Sequence, residues 1–351
     1  MKTAVVILNY NGERHLKAFL PSVVKHCPPD AAVIVADNAS VDTSLSYLRK
    51  NHPQVRRIEM QENTGFAGGY NAALKEVDAE YYALVNSDVE VTEGWLTTLT
   101  DYLDKHPDTS AVQPKIKAFR LQDHFEYAGA AGGFIDDLGF PFCRGRMFDR
   151  CERDTGQHDD PREVFWTTGA CMVIRAKAFR EAGGFDPDLF AHMEEIDLCW
   201  RLKNKGAKFF CIPQAEVFHL GGGTLSSQNP RKTYLNFRNN LIVMIKNDYR
   251  GGFFRRLLLR MVFDGGGALH LLLRKGFGHF GAVVRAHLYI YAHLNTLRAK
   301  RKTAKTAAAF PNLTGLYRGR IVTDYFFRKK RVFDALPSER FVRETLNDRA
   351  R

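Results

Sequence analysis

Short apolar runs alternate with amphipathic segments over the first hundred residues, and this alternation constrains the fold more than any other feature of the chain. The apolar runs are typical of strands that are buried on both faces of a parallel sheet. Between them, apolar residues recur three and four positions apart, as on one face of a helix. This order predicts an α/β fold with a mostly parallel sheet and right-handed crossovers. The predicted strands are Ala4–Leu8, Ala32–Ala36, Val55–Met60 and Tyr81–Val85, and the predicted helices are Glu13–Lys25, one opened by Asp42-Thr43-Ser44, Ala67–Val77 and, further on, Glu194–Lys205.

Polar side chains follow the ends of these strands. Residues 9–11, Asn-Tyr-Asn, come after the first strand, residues 37–40 after the second, and residues 86–88, Asn-Ser-Asp, after the strand at Tyr81–Val85. Ligands of open parallel sheets bind at the carboxyl ends of the strands. The sequence therefore predicts a binding site along this edge of the sheet.

Two of the polar segments have the chemistry to hold a nucleotide. The carboxylate of Asp37 can accept a hydrogen bond from a base, and the amide of Asn38 can bind a ribose or a base edge. A helix N-cap with an Asx-turn is the structural alternative for this pair. The glycine-rich segment 62–71 allows close approach of the backbone, and the helix after it offers amide groups to a phosphate. It is neither a P-loop nor a dinucleotide-binding motif, so an ordinary strand-to-helix turn is the alternative there.

Two further residues have the chemistry to hold a divalent cation. Asp88 follows a strand, two residues after Asn86, and Mg²⁺ and Mn²⁺ prefer oxygen ligands and bound phosphate. His219 follows a strand-like segment and precedes three glycines at 221–223, a place that suits a metal ligand. The alternatives are a solvated turn for Asp88 and a structural role for His219.

Residues 193–201 combine three acidic side chains with the start of a helix. Glu194 and Asp197 share one face of that helix, and Glu195 faces about 100° away. Acidic side chains in a first helical turn are stabilised by the helix dipole, which is one explanation of the pattern. The other is that one of these carboxylates is a general base. Trp166, shortly before Gly169, is either an aromatic platform or part of the core.

The order of these motifs is more specific than any one of them. Over roughly residues 3–225 the chain resembles the glycosyltransferases of family 2, and among them the bacterial rhamnosyltransferase-like branch. The resemblance implies a GT-A, Rossmann-like fold, a UDP- or dTDP-sugar donor, a divalent cation (Mg²⁺ or Mn²⁺) and an inverting single displacement. The motifs that carry it are Val5–Gly12, Asp37–Asp42, Glu62–Asn71, Asn86-Ser87-Asp88, Gly183-Gly184-Phe185-Asp186, Glu194–Arg201 and His219.

The resemblance also implies roles for individual residues. Glu195 falls where the family places its catalytic base, and Asp88, assisted by His219, would bind the cation. Two positions depart from the family pattern: the usual Asp-x-Asp is Asn-Ser-Asp at 86–88, and the base is Glu where Asp is usual, which leaves Glu194 and Asp197 as substitutes. The donor would be held by Asn9, Asp37 (on the pyrimidine), Asn38, Asn63, Gly65, Asn71, Asn86 and Ser87, and the acceptor by Trp166, Gly169 and Arg201, for which an ion pair within the helix is the alternative.

The last third of the chain is strongly basic. Residues 1–230 contain 25 Lys and Arg against 32 Asp and Glu, a balance of −7; residues 231–351 contain 26 against 7, a balance of +19, and the sum is +12. In 253–263 the apolar side chains form one stripe, and the arginines lie off it. This pattern fits an interfacial helix on anionic lipid. It also fits a helical domain packed on the catalytic one with a solvated basic face, whereas no signature of a nucleic-acid-binding fold occurs.

These patterns predict a GT-A catalytic domain over 1–228, a basic amphipathic helical region over 229–310 and a basic tail over 311–351. The sequence shows no signal-peptide pattern, no long uncharged apolar run and no C-x-x-C pair among its six cysteines. We therefore expect a cytoplasmic enzyme, peripheral at the inner face of the cell membrane. Its predicted function is glycosyl transfer to a glycan or lipid-linked acceptor in bacterial surface-polysaccharide synthesis. A nucleotidylyltransferase, which should carry a basic glycine-rich loop where Asn9–Gly12 stands, and a non-catalytic nucleotide-sugar- or glycan-binding protein are the alternatives.

Overall fold

The strands of the computed structural model, which describes residues 1–221, 228–306 and 311–343, begin in the predicted order. The four predicted strands are confirmed to within one residue at each end, and the strand-like segment before His219 is a strand in the structure. The strands are β1 (Thr3–Asn9), β2 (Ala31–Asp37), β3 (Arg56–Glu59), β4 (Tyr81–Asn86), β5 (Val89–Val91), β6 (Thr109–Ala118), β7 (Leu121–Phe125), β8 (Gly133–Asp136), β9 (Pro141–Cys143), β10 (Arg146–Met147), β11 (Arg150–Cys151), β12 (Arg162–Val164), β13 (Cys171–Arg175), β14 (Lys208–His219) and β15 (Leu316–Tyr317).

Ten α-helices lie within the described ranges, and the predicted helix over 13–25 is confirmed at both ends. None of these helices has both the length and the hydropathy that a membrane span requires. The helices are α1 (Glu13–Lys25), α2 (Ser44–Asn51), α3 (Gly65–Leu74), α4 (Trp95–Lys105), α5 (Ala176–Glu181), α6 (Glu194–Lys203), α7 (Pro230–Asn247), α8 (Phe253–Lys275), α9 (Phe277–Ala292) and α10 (Leu294–Thr306), with short 3₁₀ or π turns at 187–189, 323–327, 333–335 and 338–340.

A ten-stranded mixed sheet forms the centre of the molecule, in the order β12-β14-β6-β13-β4-β1-β2-β3, with β5 on β14 and β7 on β6. Strands β4, β1, β2 and β3 are parallel to one another, as predicted. Strand β13 is antiparallel to both of its neighbours and joins this parallel part to the parallel pair of β6 and β14. The carboxyl ends of β4 and β1 and the start of β13 therefore meet at one edge.

Both faces of the parallel strands are buried, which explains their continuous apolar sequences. In β1 the side chains of Ala4 and Val6 enter one core cluster, and those of Val5 and Ile7 enter another on the opposite face. Helices α1 and α4 cover the second face with Leu16 and Leu99 among others. The two layers fix the strand register, because a slip of one residue would exchange the faces.

The segment after 310 returns to the body of the protein. Strand β15 pairs in parallel with β8 at the edge of a second, five-stranded sheet, and Tyr317 and Phe341 pack on Phe142 of that sheet. The predicted boundaries at 228 and 310 stay predictions. The predicted glycines at 222 and 223 and the end of the predicted tail, 344–351, lie outside the described residues.

Helix α8 buries charged side chains that a solvated basic face would expose to solvent. Its buried residues are Arg256, Arg260, Asp264 and Ala268. Of the predicted apolar stripe, Phe254, Leu258 and Val262 are exposed, whereas Leu257 packs against the core. The periodicity of the stripe was predicted, but three of the four buried residues of the helix are charged.

Candidate active site

The loops after β1 and β2 are joined by polar side chains of the predicted nucleotide site. The Nδ2 atom of Asn9 donates to Oδ1 of Asp37 at 2.8 Å, and the backbone amide of Ser40 donates to Oδ2 at 2.9 Å. Asp37 is buried and caps its own turn, as the structural alternative predicts, while each carboxylate oxygen keeps a second lone pair for a ligand. The Oδ1 atom of Asn9 is buried and has no hydrogen-bond partner among the described residues.

Asn38 and Asn63 extend this network to the glycine-rich segment. The Nδ2 atom of Asn38 donates to Oδ1 of Asn63 at 2.9 Å and to the carbonyl of Gly65 at 3.0 Å. Gly65 has φ +76°, and a Cβ atom there would lie 2.5 Å from the ring of Phe190. The first amides of α3 do not face open space, because those of Phe66 and Ala67 donate to the carbonyl of Phe190. Our expectation that this helix offers its amides to a phosphate therefore does not hold for these two groups.

Asn71 of α3 is held by two hydrogen bonds to the backbone. Its Nδ2 atom donates to the carbonyl of Phe185 at 2.8 Å, and its Oδ1 atom accepts from the amide of Phe185 at 2.9 Å. The two bonds fix the Gly-Gly-Phe-Asp loop at 183–186, which is a structural role for Asn71. Its role in lining the donor stays a prediction.

Asp88 and His219 meet as predicted, although 131 positions separate them in the chain. The Nε2 atom of His219 lies 3.1 Å from Oδ1 of Asp88, and its Nδ1 atom lies 3.0 Å from Oε2 of Glu126. Burial lowers the pKa of His219, but the two carboxylate hydrogen bonds outweigh it and raise the pKa to about 10. Burial raises the pKa of Asp88, and the bond to His219 outweighs it, so this pKa lies below its usual range. Strand β14 makes the meeting possible because it pairs with both β5 and β6.

Glu126 is a site residue that the sequence analysis missed. It follows β7 and also accepts the amide of Ala128 at 2.6 Å. A carboxylate behind the second nitrogen of a metal-binding histidine fixes the ring and raises its basicity. A lone Glu beyond an unpredicted strand gives no sequence signal for this role.

The donor set at Asp88 and His219 fits a divalent cation that also binds phosphate. The carboxylate of Asp88 and the imidazole of His219 would supply two ligands, with the carboxylate of Glu126 behind the imidazole, and metal binding would require the neutral imidazole. Over the described ranges no group of three or more His, Cys, Asp and Glu side chains forms a complete metal site. A cation here would therefore take its remaining ligands from donor phosphate and water, as Mg²⁺ commonly does.

Glu194 and Glu195 begin α6 in different surroundings. Glu194 is buried, its Oε2 atom lacks a hydrogen-bond partner among the described residues, and burial and Glu195 raise its pKa well above the usual range. Glu195 is half-buried, and burial raises its pKa to about 7. Its Cβ atom lies 3.8 Å from the position that a Cβ atom on Gly169 would occupy. Of the two, Glu195 has the access and the pKa of a general base.

A strained loop holds Glu195 in place. Phe190, His192 and Met193, directly before α6, have φ values of 62°, 70° and 73°, which are unfavourable for residues with side chains. Asn239 of α7 binds this loop: its Nδ2 atom donates to the carbonyls of Leu189, Ala191 and His192 at 2.9, 2.9 and 2.7 Å. Asn239 is fully buried and was missed by the sequence analysis, because α7 lies outside the motifs that carry the resemblance.

Asp197 anchors α6 to α7. Its carboxylate accepts bonds from Arg201 Nε, Lys246 Nζ and Asn247 Nδ2, each at 2.8 Å. Burial raises the pKa of Asp197, but the two cations outweigh it and hold the pKa below its usual range. A carboxylate with three donors is a poor proton acceptor, so Asp197 does not substitute for Glu195.

Arg201 and Trp166 follow their structural alternatives rather than the acceptor roles that the resemblance implies. The guanidinium of Arg201 is occupied by Asp197 and by the carbonyls of Ala182 and Gly184. The ring of Trp166 is buried over Gly133, and its Nε1 atom donates to the carbonyl of Phe134 at 2.9 Å. The ion pair fits Arg201, and the core fits Trp166.

A short backbone connection links the segment of Asp88 to Glu195. The amide of Asn86, two residues before Asp88, donates to the carbonyl of Ala170 at 2.9 Å. The next residue back, Gly169, lies against Glu195. The segment that leads to Asp88 and the side chain of Glu195 are therefore both next to the turn at 169–170.

Known proteins resemble this chain in sequence and in fold. N-acetylglucosaminyl-diphospho-decaprenol L-rhamnosyltransferase of Mycobacterium tuberculosis (strain CDC 1551 / Oshkosh) is 29% identical over 233 residues, which are 61% of this chain and 75% of the relative. GalNAc-T7, solved with UDP, GalNAc and Mn²⁺, superposes with a TM-score of 0.56 at 17% identity over 72% of this chain, which spans 49% of the GalNAc-T7 chain. S. aureus TarS 1-349 in complex with UDP-GlcNAc superposes with a TM-score of 0.53 at 16% identity over 87% of this chain and 89% of its own. These superpositions confirm the GT-A fold.

The family model described as glycosyl transferase family 2 matches residues 4–183, which is half of the chain. That span contains the predicted nucleotide loops and Asp88, whereas Glu195 and His219 lie beyond it. The rhamnosyltransferase relative agrees with the predicted branch. The chain belongs to glycosyltransferase family 2 and is rhamnosyltransferase-like.

Proposed function

We propose that this protein is an inverting glycosyltransferase that moves a sugar from a UDP- or dTDP-sugar to a glycan or lipid-linked acceptor, with Glu195 as the general base. One observation carries the proposal. A half-buried carboxylate with a pKa raised to about 7 lies against the turn at 169–170, and the other side of that turn is bonded to the strand that ends beside Asp88. A base and an anion-binding side are what a single displacement at an anomeric carbon needs.

Glu195 takes the proton of the acceptor. As the acceptor oxygen forms its bond to the anomeric carbon, its proton passes to the carboxylate of Glu195. The bond between the anomeric carbon and the phosphate oxygen breaks at the same time, and the nucleoside diphosphate leaves with the electron pair. Attack from the side opposite to the leaving group inverts the anomeric centre. Proton removal by a positioned carboxylate contributes about 10²–10⁴ in rate.

The leaving diphosphate lies on the side of Asp88. Asp88 and His219 would hold a divalent cation there, and Glu126 would orient the imidazole. When bound, the cation supplies positive charge to the phosphate oxygens. The GalNAc-T7 structure, which has a similar fold, contains Mn²⁺ together with UDP, and this supports a divalent cation as part of the proposal.

The nucleoside is proposed to lie on the loops after β1 and β2. Asn9 offers a buried Oδ1 atom without a partner in the described ranges, and Asp37 keeps free lone pairs beside it. Asn38 and Asn63 hold the loop, and the backbone at Gly65 forms its edge. The side chains at Asn86 and Ser87 complete this wall, and Ser87 Oγ lies 3.8 Å from a Cβ position on Gly12.

The acceptor is proposed to be lipid-linked and presented at the cytoplasmic face of the membrane, in surface-polysaccharide synthesis. The name of the Mycobacterium tuberculosis relative specifies an N-acetylglucosaminyl-diphospho-decaprenol acceptor, a sugar on a polyprenyl lipid. The basic last third of this chain, with a balance of +19 over 231–351, suits a membrane with anionic lipid.

The test measures donor turnover and donor binding separately. A panel of UDP- and dTDP-sugars, with Mn²⁺, Mg²⁺ or a chelator, is scored for thermal stabilisation and for release of nucleoside diphosphate. At least one donor should stabilise the protein, with more stabilisation in the presence of the cation, and Asp88→Asn should remove the cation dependence. If no nucleotide-sugar stabilises the protein and none is turned over, the proposal fails.

Glu195→Gln, with Glu194→Gln as the matched control, tests the base. Glu195→Gln should reduce turnover by about 10²–10⁴-fold while donor binding survives. Glu194 is buried with a raised pKa, so Glu194→Gln should change turnover much less. Equal losses in the two variants would refute the assignment of Glu195.

A further inference from the structure

Helix α8 carries an exposed apolar surface along its length. Phe254 and Leu273 are 81% and 87% exposed, and Phe277, just after the turn into α9, is 82% exposed. The positions 254, 258, 262, 269 and 273 fall within about 100° of the helix circumference and span roughly 28 Å along its axis. We call this set the α8 apolar face: Phe254, Leu258, Val262, Leu269, Leu273 and Phe277.

The opposite side of α8 is polar and fixed to the protein. Arg260 is buried; its Nε atom donates to Asp264 at 2.8 Å, and its guanidinium lies 3.7 Å from the ring centroid of Phe140. Arg256 donates to Asp248 at 3.0 Å and to the carbonyl of Arg250 at 3.0 Å. These contacts fix the rotation of α8 about its axis. Because the paired charges lie on the side that faces the protein, the apolar face points outward.

We propose that the α8 apolar face docks on the surface of an anionic lipid bilayer. An exposed apolar stripe of this size marks an interaction site. Arg255 and Arg274, both exposed, flank it, and residues 231–351 carry a balance of +19. Each cation near an anionic lipid surface contributes to binding, and the helix lies in the interface with its apolar side inserted.

The same charge argues against a second copy of this chain as the occupant. Two copies that met through this face would bring two strongly basic regions together, which costs free energy through like-charge repulsion. A bilayer with acidic headgroups supplies the opposite charge.

Docking at this face would bring the enzyme to the bilayer that presents a lipid-linked acceptor. Helix α7, which precedes α8, holds the strained loop before Glu195 through Asn239. The inference rests on the proposed function only for its purpose, because a lipid-linked acceptor is presented at a bilayer.

Flotation with vesicles tests the docking surface on the full chain. Vesicles of phosphatidylcholine with about 30% phosphatidylglycerol should carry the protein to the top of a gradient, whereas pure phosphatidylcholine, or about 1 M salt, should carry much less. The variant Phe254→Ser, Leu258→Ser, Leu273→Ser, Phe277→Ser should partition more than tenfold less. The single change Leu273→Ser should reduce partition about three- to tenfold. Leu121→Ser changes an exposed leucine that is not part of the α8 apolar face, and it should leave the partition unchanged.

Three results would overturn the proposal. They are a native protein that stays at the bottom with anionic vesicles, a four-site variant that floats as well as the native protein, and a dimer in sedimentation velocity that the four-site variant dissociates. Release of nucleoside diphosphate from the donor, measured on the same preparations, separates the two proposals. Turnover without flotation refutes the docking surface alone, and flotation without turnover of any donor refutes the glycosyltransferase proposal alone.

Discussion

Asn239 offers a test of how α7 controls the catalytic helix, and we predict that Asn239→Ala lowers kcat far more than it changes the KM for the donor. The side chain shares its two amide hydrogens among three carbonyls at 2.7–2.9 Å. Two net hydrogen bonds are worth about 1–3 kcal/mol of unfolding free energy. In the loop that Asn239 binds, Phe190, His192 and Met193 have positive φ, and each stores about 1–3 kcal/mol of strain. The surrounding contacts must offset this strain.

Release of this strain should move Glu195. A displacement of about 1 Å at a catalytic group costs on the order of 10²-fold in rate, so we expect kcat to fall about 10- to 100-fold. The assay is the initial rate of nucleoside diphosphate release over a range of donor concentrations, with urea denaturation for the unfolding free energy.

Asn312→Ala is the matched control. Asn312 also uses its Nδ2 atom for two bonds, to Glu163 at 2.8 Å and to the carbonyl of Ala207 at 3.0 Å. It should lose a similar unfolding free energy and keep its kcat. If both variants lose stability equally and both keep kcat, Asn239 is structural only, and the argument that α7 positions the base is refuted.

Three more predictions concern pH, the buried ion pair of α8 and the tryptophan of the core. Burial raises the pKa of Glu195 to about 7, and its carboxylate accepts a proton only when it is ionised. Turnover should therefore be about tenfold lower near pH 6 than on its plateau above about pH 8. A profile that falls with rising pH over this range would contradict the base assignment. Arg260→Leu leaves Asp264 buried without its main partner and should lower the unfolding free energy, measured by urea denaturation, by about 3–5 kcal/mol. Adding Asp264→Leu should recover part of this loss. A loss below about 1 kcal/mol would count against the buried pair. Trp166→Phe should cost about 1–3 kcal/mol of stability, because the carbonyl of Phe134 loses its donor, and should leave the KM for an acceptor unchanged; a raised KM at full stability would restore the acceptor role.

The sequence by itself determined the parallel part of the sheet and the edge where the site lies. Runs such as Ala4–Leu8 are apolar at every position, which only a strand buried on both faces requires, and βαβ connections bring the carboxyl ends of such strands together. The motifs at Asp37, Asp88 and Glu195 follow these local patterns, so their order along the chain sufficed to identify the family.

Only the tertiary structure decided which polar groups are partners. Glu126 contacts His219, which lies 93 positions away in the chain. Asn239 contacts the loop before Glu195, which lies 47 or more positions away. No local pattern encodes contacts at such separations. Asp197 and Arg201 resemble reactive groups in sequence, but the donors and carbonyls around them are supplied by other segments. The stripe of α8 shows the same limit, since periodicity gives the angle between two faces of a helix, whereas the partners brought by the fold decide which face is buried.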